Sequence, residues 1–243
     1  MEPIFRLALR LMARFTSAYS SLVIRLEEVN NLLDIAIALE RQNPVKNADK
    51  INALSRGAVV LLSSHIEGYI KEVGELTLTR IFDNSVCRSQ IPDMVSYFAS
   101  RDLIFEIKDT ADSTKLAKKI SELFSRDRSL WEQLGPHPTP ISEERFNKSF
   151  SSPSIKKIYG YYRRFGYQLW KKDLARALAA EYNMTVNLID NIVNERNKIA
   201  HGHFATTTTP ADIRKWVPIV KKFCRISDQL FGDWCRKEVC SIR

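Results

Sequence analysis

The segment from residue 185 to residue 203 reads TVNLIDNIVNERNKIAHGH, and its apolar residues recur at the spacing of a helix that packs along one side. Ile189 and Val193 fall on one line of this helix, and Arg196 continues that line. The stem of Arg196 should therefore be partly buried while its guanidinium reaches outward. A separate polar line beside it contains Asp190, Asn194, Asn197 and His201.

The rest of the chain is also helical in pattern, so the fold class that we predict is an all-α helical bundle. Helices are predicted for Ile4 to about Arg41, Asn47 to Phe82, Leu169 to Glu181, Thr185 to Ala200, and from Pro210 onward. The buried stripes of the first two contain Leu22, Leu26, Val29, Leu33, Val59, Leu62, Ile66, Ile70 and Val73. Gly202 should end the helix that precedes it, because glycine readily adopts the left-handed conformation found after helices.

The middle of the chain is less regular than its two ends. The run GPHPTP at residues 135–140 breaks any helix, and short helices are predicted after Ser113 and Ser142. We expect a single domain over residues 1–243, with a helical and irregular insertion at about 85–153.

Composition excludes several classes of protein. The 243 residues include 8 glycines, about half the usual share, and neither of the glycine-rich phosphate loops of nucleotide-binding enzymes is present. No apolar run approaches the roughly 20 residues that span a membrane. The four cysteines form no C-x-x-C pair, so we expect no zinc site and no redox motif, and a reducing cytoplasm as the location.

The charge balance points to a polyanionic partner. Lysine and arginine number 37 against 28 acidic residues, which gives a net charge of +9. Aromatic residues alternate with basic ones between Ser154 and Arg176; they either stack on unpaired bases or belong to the core while the charges are solvated. We predict that RNA is bound by Lys156, Lys157, Arg163, Arg164, Lys171 and Lys172. A second basic run comprises Arg214, Lys215, Lys221, Lys222 and Arg225, and both runs are expected to guide RNA to Arg196 and His201.

The pair Arg196 and His201 suits RNA cleavage without a metal ion. A histidine with a pKa near 6.5 can exchange a proton with a ribose 2′-hydroxyl or a leaving oxygen, and an arginine can neutralise charge that develops on phosphoryl oxygens. One helix supplies one histidine, so a two-fold dimer would be needed for an acid and a base. A histidine after a helix also serves simply as a C-terminal cap, and the spacing alone leaves both interpretations open.

The string RNKIAHG at residues 196–202 resembles the R-x(4–6)-H motif of the HEPN superfamily. An earlier helix, VVLLSSHIEGYIKEV at residues 59–73, is similar to the second helix of the RiboL-PSP or MAE_28990-like branch. As in that branch, a polar loop and one long amphipathic helix follow the motif. The resemblance covers about residues 55–75 and 165–235.

This resemblance implies a helical bundle that dimerises with its motif helices at the interface. It implies a metal-independent endoribonuclease of a toxin–antitoxin, CRISPR or phage-defence system, with no cofactor. Arg196 would stabilise the transition state, His201 would be the general acid–base, and Asn197 would orient the phosphate or the histidine. The expected partners are RNA, a second copy of the chain and an antitoxin or defence-complex protein, with no membrane.

Three further residues are expected to support the site. Glu67 lies on one side of its helix with Ser63, Ser64 and Lys71. It either orients Arg196 or His201, or forms a structural ion pair. Lys198 and His203 are placed near the active centre. His203 occupies the position at which some HEPN toxins carry a modifiable tyrosine, so the resemblance implies no control by tyrosine modification here.

Two other functions stay open at this point. The first is a non-catalytic HEPN module that binds RNA or a partner protein. The second is a helical protein of the membrane surface that uses Arg6, Arg10 and Arg14, which are spaced along one helical face. Cleavage, binding without cleavage, and flotation with liposomes distinguish the three.

Overall fold

The computed structural model describes residues 15–132, 135–202 and 208–243. Within these ranges the chain forms helices joined by short loops and contains no strand, so the predicted all-α fold class is confirmed. One isolated bridge pairs Cys87 with Pro136. Arg6, Arg10 and Arg14 lie outside the described residues. Among the helices within them, none is long and apolar enough to cross a membrane.

The helices are numbered here in chain order, and two short 3₁₀ turns separate some of them. They are α1 (Ser17–Gln42), α2 (Ala48–Asp83), α3 (Asp93–Lys108), α4 (Ser113–Arg126), α5 (Arg128–Trp131), α6 (Glu143–Asn147), α7 (Ile155–Arg164), α8 (Trp170–Leu178), α9 (Tyr182–Ala200) and α10 (Pro210–Glu238), with 3₁₀ turns at Arg88–Gln90 and Ala179–Glu181.

Helix α2 is the centre of the bundle and packs against α1, α9 and α10. The apolar stripes predicted for α1 and α2 are buried in full. Burial of such stripes is the main source of helix stability, because isolated helices are marginal in water. The motif helix α9 is therefore fixed by its apolar side to the best-packed element of the protein.

A buried polar contact joins the beginning of α1 to α10. Thr16 caps α1 by accepting a hydrogen bond from the backbone N–H of Tyr19, at 3.2 Å. Its own N–H and hydroxyl donate to the two carboxylate oxygens of Asp228 on α10, at 2.9 and 2.5 Å. Burial raises the pKa of Asp228, and the hydrogen bonds from Thr16 oppose this rise.

The middle segment is more helical than the sequence suggested. Helix α3 was not predicted, because its inward side alternates apolar residues with the small polar residues Ser96 and Ser100, which blurs the periodicity. Helix α4 begins where predicted, but Asp112 rather than Ser113 caps it. Helix α6 follows Ser142 as predicted, and the hydroxyl of that serine accepts a hydrogen bond from the N–H of Arg145.

Candidate functional site

Helix α9 presents the motif at its C-terminal end. Ile189, Ile192 and Val193 are buried, while the last turn is partly exposed. His201 is the C-terminal cap, and its backbone N–H donates to the carbonyl of Asn197 at 3.0 Å. Gly202 has a φ of +87°, the left-handed conformation that was predicted to stop the helix.

Two acceptors hold the guanidinium of Arg196. Its Nη1 donates to Ser152 Oγ at 3.3 Å and to Asn197 Oδ1 at 3.1 Å. A guanidinium has five N–H donors, and these contacts use the two on Nη1. Within the described residues no partner contacts Nε or Nη2, and these two nitrogens form the edge of a guanidinium that binds phosphate in a bidentate manner. The side-chain oxygen of Asn197 is therefore bonded to the arginine, whereas its contact with His201 is made by the backbone carbonyl.

Glu67 reaches Arg196 through one intervening residue. Its Oε2 accepts a hydrogen bond from the backbone N–H of Ser152 at 3.0 Å, and its Oε1 forms an ion pair with Lys71 Nζ at 2.7 Å. The structure contains the ion pair of the second interpretation. Within the described residues Glu67 makes no direct bond to Arg196 or His201, and its link to Arg196 passes through Ser152.

The loop that carries Ser152 is bound to the motif helix at a second point. Asp190 Oδ1 accepts a hydrogen bond from the backbone N–H of Ile155, at 2.8 Å, at the beginning of α7. Lys157 Nζ donates to the carbonyl of Ser151 at 2.8 Å. The first turn of α7, with its exposed lysines, is therefore held beside the loop that contacts Arg196.

Lys198 and His201, the other polar residues of the motif, are exposed. His201 is exposed, and within the described ranges its imidazole forms no hydrogen bond or ion pair. Lys198 pairs with Glu195 at 2.8 Å, which offsets part of its charge. His203 lies outside the described residues. In the part of the chain that is described, no three His, Cys, Asp or Glu side chains are grouped closely enough to hold a metal ion.

A row of asparagines on α9 was not recognised from the sequence. The exposed residues Asn187, Asn191 and Asn194 are followed on the same side by Lys198 and His201. Asparagine is a poor helix former, so repeated solvent-exposed asparagines reduce the stability of a helix without any gain from packing. Their recurrence at spacings of four and three was the signal that could have shown this face.

The predicted RNA-binding residues do not all reach the surface. Lys156, Lys157, Arg163, Lys171 and Lys172 are exposed. Arg164 has to be withdrawn from the set, because it is 5% exposed and donates to the carbonyl of Phe146 at 2.5 Å and to Ser149 Oγ at 3.1 Å. Its guanidinium lies 4.0 Å from the ring centroid of Phe98, and burial lowers its pKa to about 10.

The aromatic residues of the same stretch belong to the core. The buried ones are Tyr161, Tyr162, Phe165, Tyr167 and Trp170. Tyr159 is partly exposed, and Lys171 Nζ lies 5.0 Å from its ring centroid. Of the two interpretations of these aromatics, packing is the one that the structure supports.

Three residues of the second basic run form ion pairs, and two of these pairs are with acids outside α10. Ion pairs join Arg214 to Asp34, Lys215 to Asp212 and Lys222 to Glu181, at 2.5, 3.5 and 2.6 Å. Glu181 directly precedes α9, whereas His201 follows its other end. A helix of 19 residues is about 28 Å long, so the middle of this run lies far from the motif.

These features define a class of protein: an all-helical bundle with an anchored arginine and an exposed histidine near the end of one amphipathic helix. The family model RiboL-PSP-HEPN matches residues 20–233. The chain therefore belongs to the RiboL-PSP-HEPN family, and HEPN domains are generally ribonucleases or RNA-binding modules. Comparison with curated proteins and with solved structures gives no match.

Proposed function

We propose that this protein is a metal-independent endoribonuclease of a toxin or antiphage-defence system. It acts as a homodimer in which Arg196 and His201 of both protomers form one composite site. The observation that carries this proposal is the state of Arg196, whose Nη1 is held by Ser152 and Asn197 while the Nε and Nη2 edge is left for a phosphate. An exposed histidine follows on the same helix.

The chemistry is a transfer within the RNA chain. One His201 takes the proton of a ribose 2′-hydroxyl, whose oxygen attacks the adjacent phosphorus while the bond from phosphorus to the 5′-oxygen breaks. The same residue of the second protomer gives a proton to the leaving 5′-oxygen. The guanidinium of Arg196 balances the charge on the phosphoryl oxygens. The products are a 2′,3′-cyclic phosphate and a 5′-hydroxyl.

The asparagine row on α9 supports dimerisation through the motif helices. A carboxamide is both donor and acceptor, so an asparagine face can pair with a copy of itself. Most of the chain's surplus positive charge would repel a second copy, but the row itself is uncharged up to Lys198. Two motif helices can therefore meet here with little electrostatic cost.

RNA would approach over the first turn of α7. Lys156 and Lys157 are exposed there, and Lys157 donates a hydrogen bond to Ser151 in the loop that contacts Arg196. The other assignments that remain proposals are an antitoxin or defence-complex partner, supporting roles for Lys198 and His203, and the cytoplasm as the location. In a reducing compartment the four free cysteines stay as thiols.

The test is cleavage of single-stranded RNA by the purified full-length chain in the presence of EDTA. Wild type should yield defined fragments with cyclic phosphate ends, and His201→Ala and Arg196→Ala should each be inactive. Activity that persists in both variants would overturn the site. Salt-dependent RNA binding by wild type without any cleavage would instead establish the non-catalytic module. If flotation with liposomes does not change when Arg6, Arg10 and Arg14 are replaced, a membrane-surface role for these arginines is excluded.

A further inference from the structure

We infer that Ser152 is a positioning residue for Arg196, so that a loop outside the motif sets the direction of the guanidinium. The inference rests on the proposed ribonuclease function. Ser152 lies in the segment between α6 and α7, 44 residues from Arg196 along the chain, and no feature of the R-x4-H motif contains it.

The first argument is that the two contacts of Nη1 restrict the rotation of the guanidinium in different ways. Asn197 follows Arg196 on the same helix, so its contact with Nη1 orients the guanidinium only with respect to α9 itself. Ser152 belongs to another segment. Among the described residues, its contact with Nη1 is the one that joins the guanidinium to an element other than α9, and it leaves the Nε and Nη2 edge for a phosphate.

The second argument is the backbone of Ser152 itself. Its φ is +55°, a conformation that a serine adopts only at a cost in free energy. The surroundings maintain it from both sides, because Glu67 accepts the N–H of Ser152 and Asp190 accepts the N–H of Ile155 three residues later. A glycine would relieve the strain, yet the position carries a hydroxyl that is bonded to Arg196.

The arrangement assigns an indirect role to Glu67. Its carboxylate is 17% exposed and bonded to the backbone of Ser152, with Lys71 on its other oxygen. Glu67 thus holds Ser152, and Ser152 holds Arg196. Neither residue touches the reacting atoms, so their effect should fall on the rate of the chemical step and not on RNA affinity.

The experiment compares Ser152→Ala and Ser152→Gly with Ser151→Ala. Both Ser152 variants lose the hydroxyl, and the glycine variant also removes the backbone strain. Ser151 is the exposed neighbour whose carbonyl, but not its hydroxyl, forms a hydrogen bond within the described part of the chain. We expect kcat to fall about tenfold in both Ser152 variants with KM nearly unchanged, while the Ser152→Gly protein melts no lower than wild type. The Ser151→Ala protein should match wild type.

Glu67 supplies the second pair of variants. Glu67→Ala should lower kcat about as much as Ser152→Ala does, because Ser152 loses its backbone acceptor. Glu67→Gln keeps an oxygen that can accept the Ser152 N–H, so kcat should be largely restored. A kcat near that of wild type in both Ser152 variants, or a loss that follows the melting temperature, would overturn the inference.

A readout that needs no catalysis separates this inference from the proposed function. Phenylglyoxal reacts with the terminal nitrogens of arginine, and peptide mass spectrometry gives the rate at Arg196. Loss of the Ser152 hydroxyl frees Nη1, so modification should be faster in both Ser152 variants and unchanged in Ser151→Ala. An inactive wild type would overturn the proposed ribonuclease, whereas an unchanged rate at Arg196 would overturn the role of Ser152.

Discussion

At the scale of single residues, Lys156 and Lys157 are the exposed basic residues that lie beside the loop bonded to Arg196. Replacing both by alanine should weaken RNA binding and reduce the slope of log K against log salt by about 0.7 for each lost phosphate contact with single-stranded RNA. Fluorescence anisotropy with labelled RNA across a salt series, in the His201→Ala background, measures this. Lys118 is exposed on α4 and provides the matched control. An equal loss of slope in Lys118→Ala would contradict a local RNA path.

His65 should make the stability of the protein dependent on pH. It is buried on α2 with Nε2 3.4 Å from Glu28 Oε2. Burial lowers its pKa from 6.5, and the charge of Glu28 opposes this. Between the lowered pKa and 6.5 the unfolded chain binds more protons than the native chain, so the free energy of unfolding should fall as pH drops below about 6.5.

The variant His65→Leu isolates this contribution. Its melting temperature should fall less than that of wild type when the pH is lowered from about 7.5 to about 5.5. Some acid sensitivity should remain, because burial also lowers the pKa of His137. A variant that loses as much stability as wild type would show that His65 is not a source of the effect.

At the residue scale, the sequence predicted which residues belong to the site better than it predicted which residues those side chains contact. The positions of Arg196 and Asn197 on one helix follow from periodicity, but Ser152 is 44 residues away and no local pattern links it to them. Arg164 and Lys157 lie in the same basic stretch. Only the angular position of each residue on α7, together with the elements packed against that helix, decides that the first is buried and the second exposed.

At the scale of the elements, the packing of α2 against α7 depends on one glycine. Gly74 is buried, and a Cβ at this position would overlap the hydroxyl oxygen and ring of Tyr161. The hydroxyl of Tyr161 in turn donates to Asn147 Oδ1 at 2.5 Å. Gly74→Ala should therefore destabilise the protein by about 1–3 kcal/mol, although alanine is the better helix former.

Gly160 on α7 is the matched control for this prediction. It is exposed within the helix, and nothing in the described structure lies within 4 Å of the Cβ that alanine would add. Gly160→Ala should stabilise the protein by roughly 0.5–1 kcal/mol. Urea denaturation of both variants measures the difference, and effects of the same sign would contradict the packing argument.

Long helices with a strong apolar stripe were predictable, and so was the short α6 that follows Ser142. Helix α2 was predicted from Asn47 to Phe82 and is observed from Ala48 to Asp83. Helices α3 and α7 were missed, since the inward side of α3 carries serines and α7 has the aromatics and charges that suggested an RNA surface. Their helical state depends on burial against α6 and α8, which the local sequence does not contain.

At the scale of the whole molecule, the basic residues that give the net charge of +9 do not form one continuous basic surface. Ion pairs with α1 and with the turn before α9 balance part of the basic run on α10, whereas the lysines at the start of α7 are beside the loop that holds Arg196. Composition gave the size of the surplus but not its distribution, because the pairing acids are distant in sequence. The single domain over residues 1–243, with an insertion at about 85–153, stays a prediction.

The whole molecule should be a dimer that depends on the neutral face of α9. Asn191 lies in the middle of the exposed row, so Asn191→Asp would place two carboxylates near each other across a two-fold axis. We expect this variant to shift toward monomer in sedimentation velocity and to lose cleavage, while its melting temperature at high dilution stays near that of wild type.

Asn52→Asp makes the same chemical change on an exposed position of α2 and should remain dimeric. Dissociation that recovers in high salt would identify charge repulsion as the cause. A wild type that is monomeric at micromolar concentration, or an Asn191→Asp protein that sediments as a dimer, would contradict an interface at this face of the motif helix.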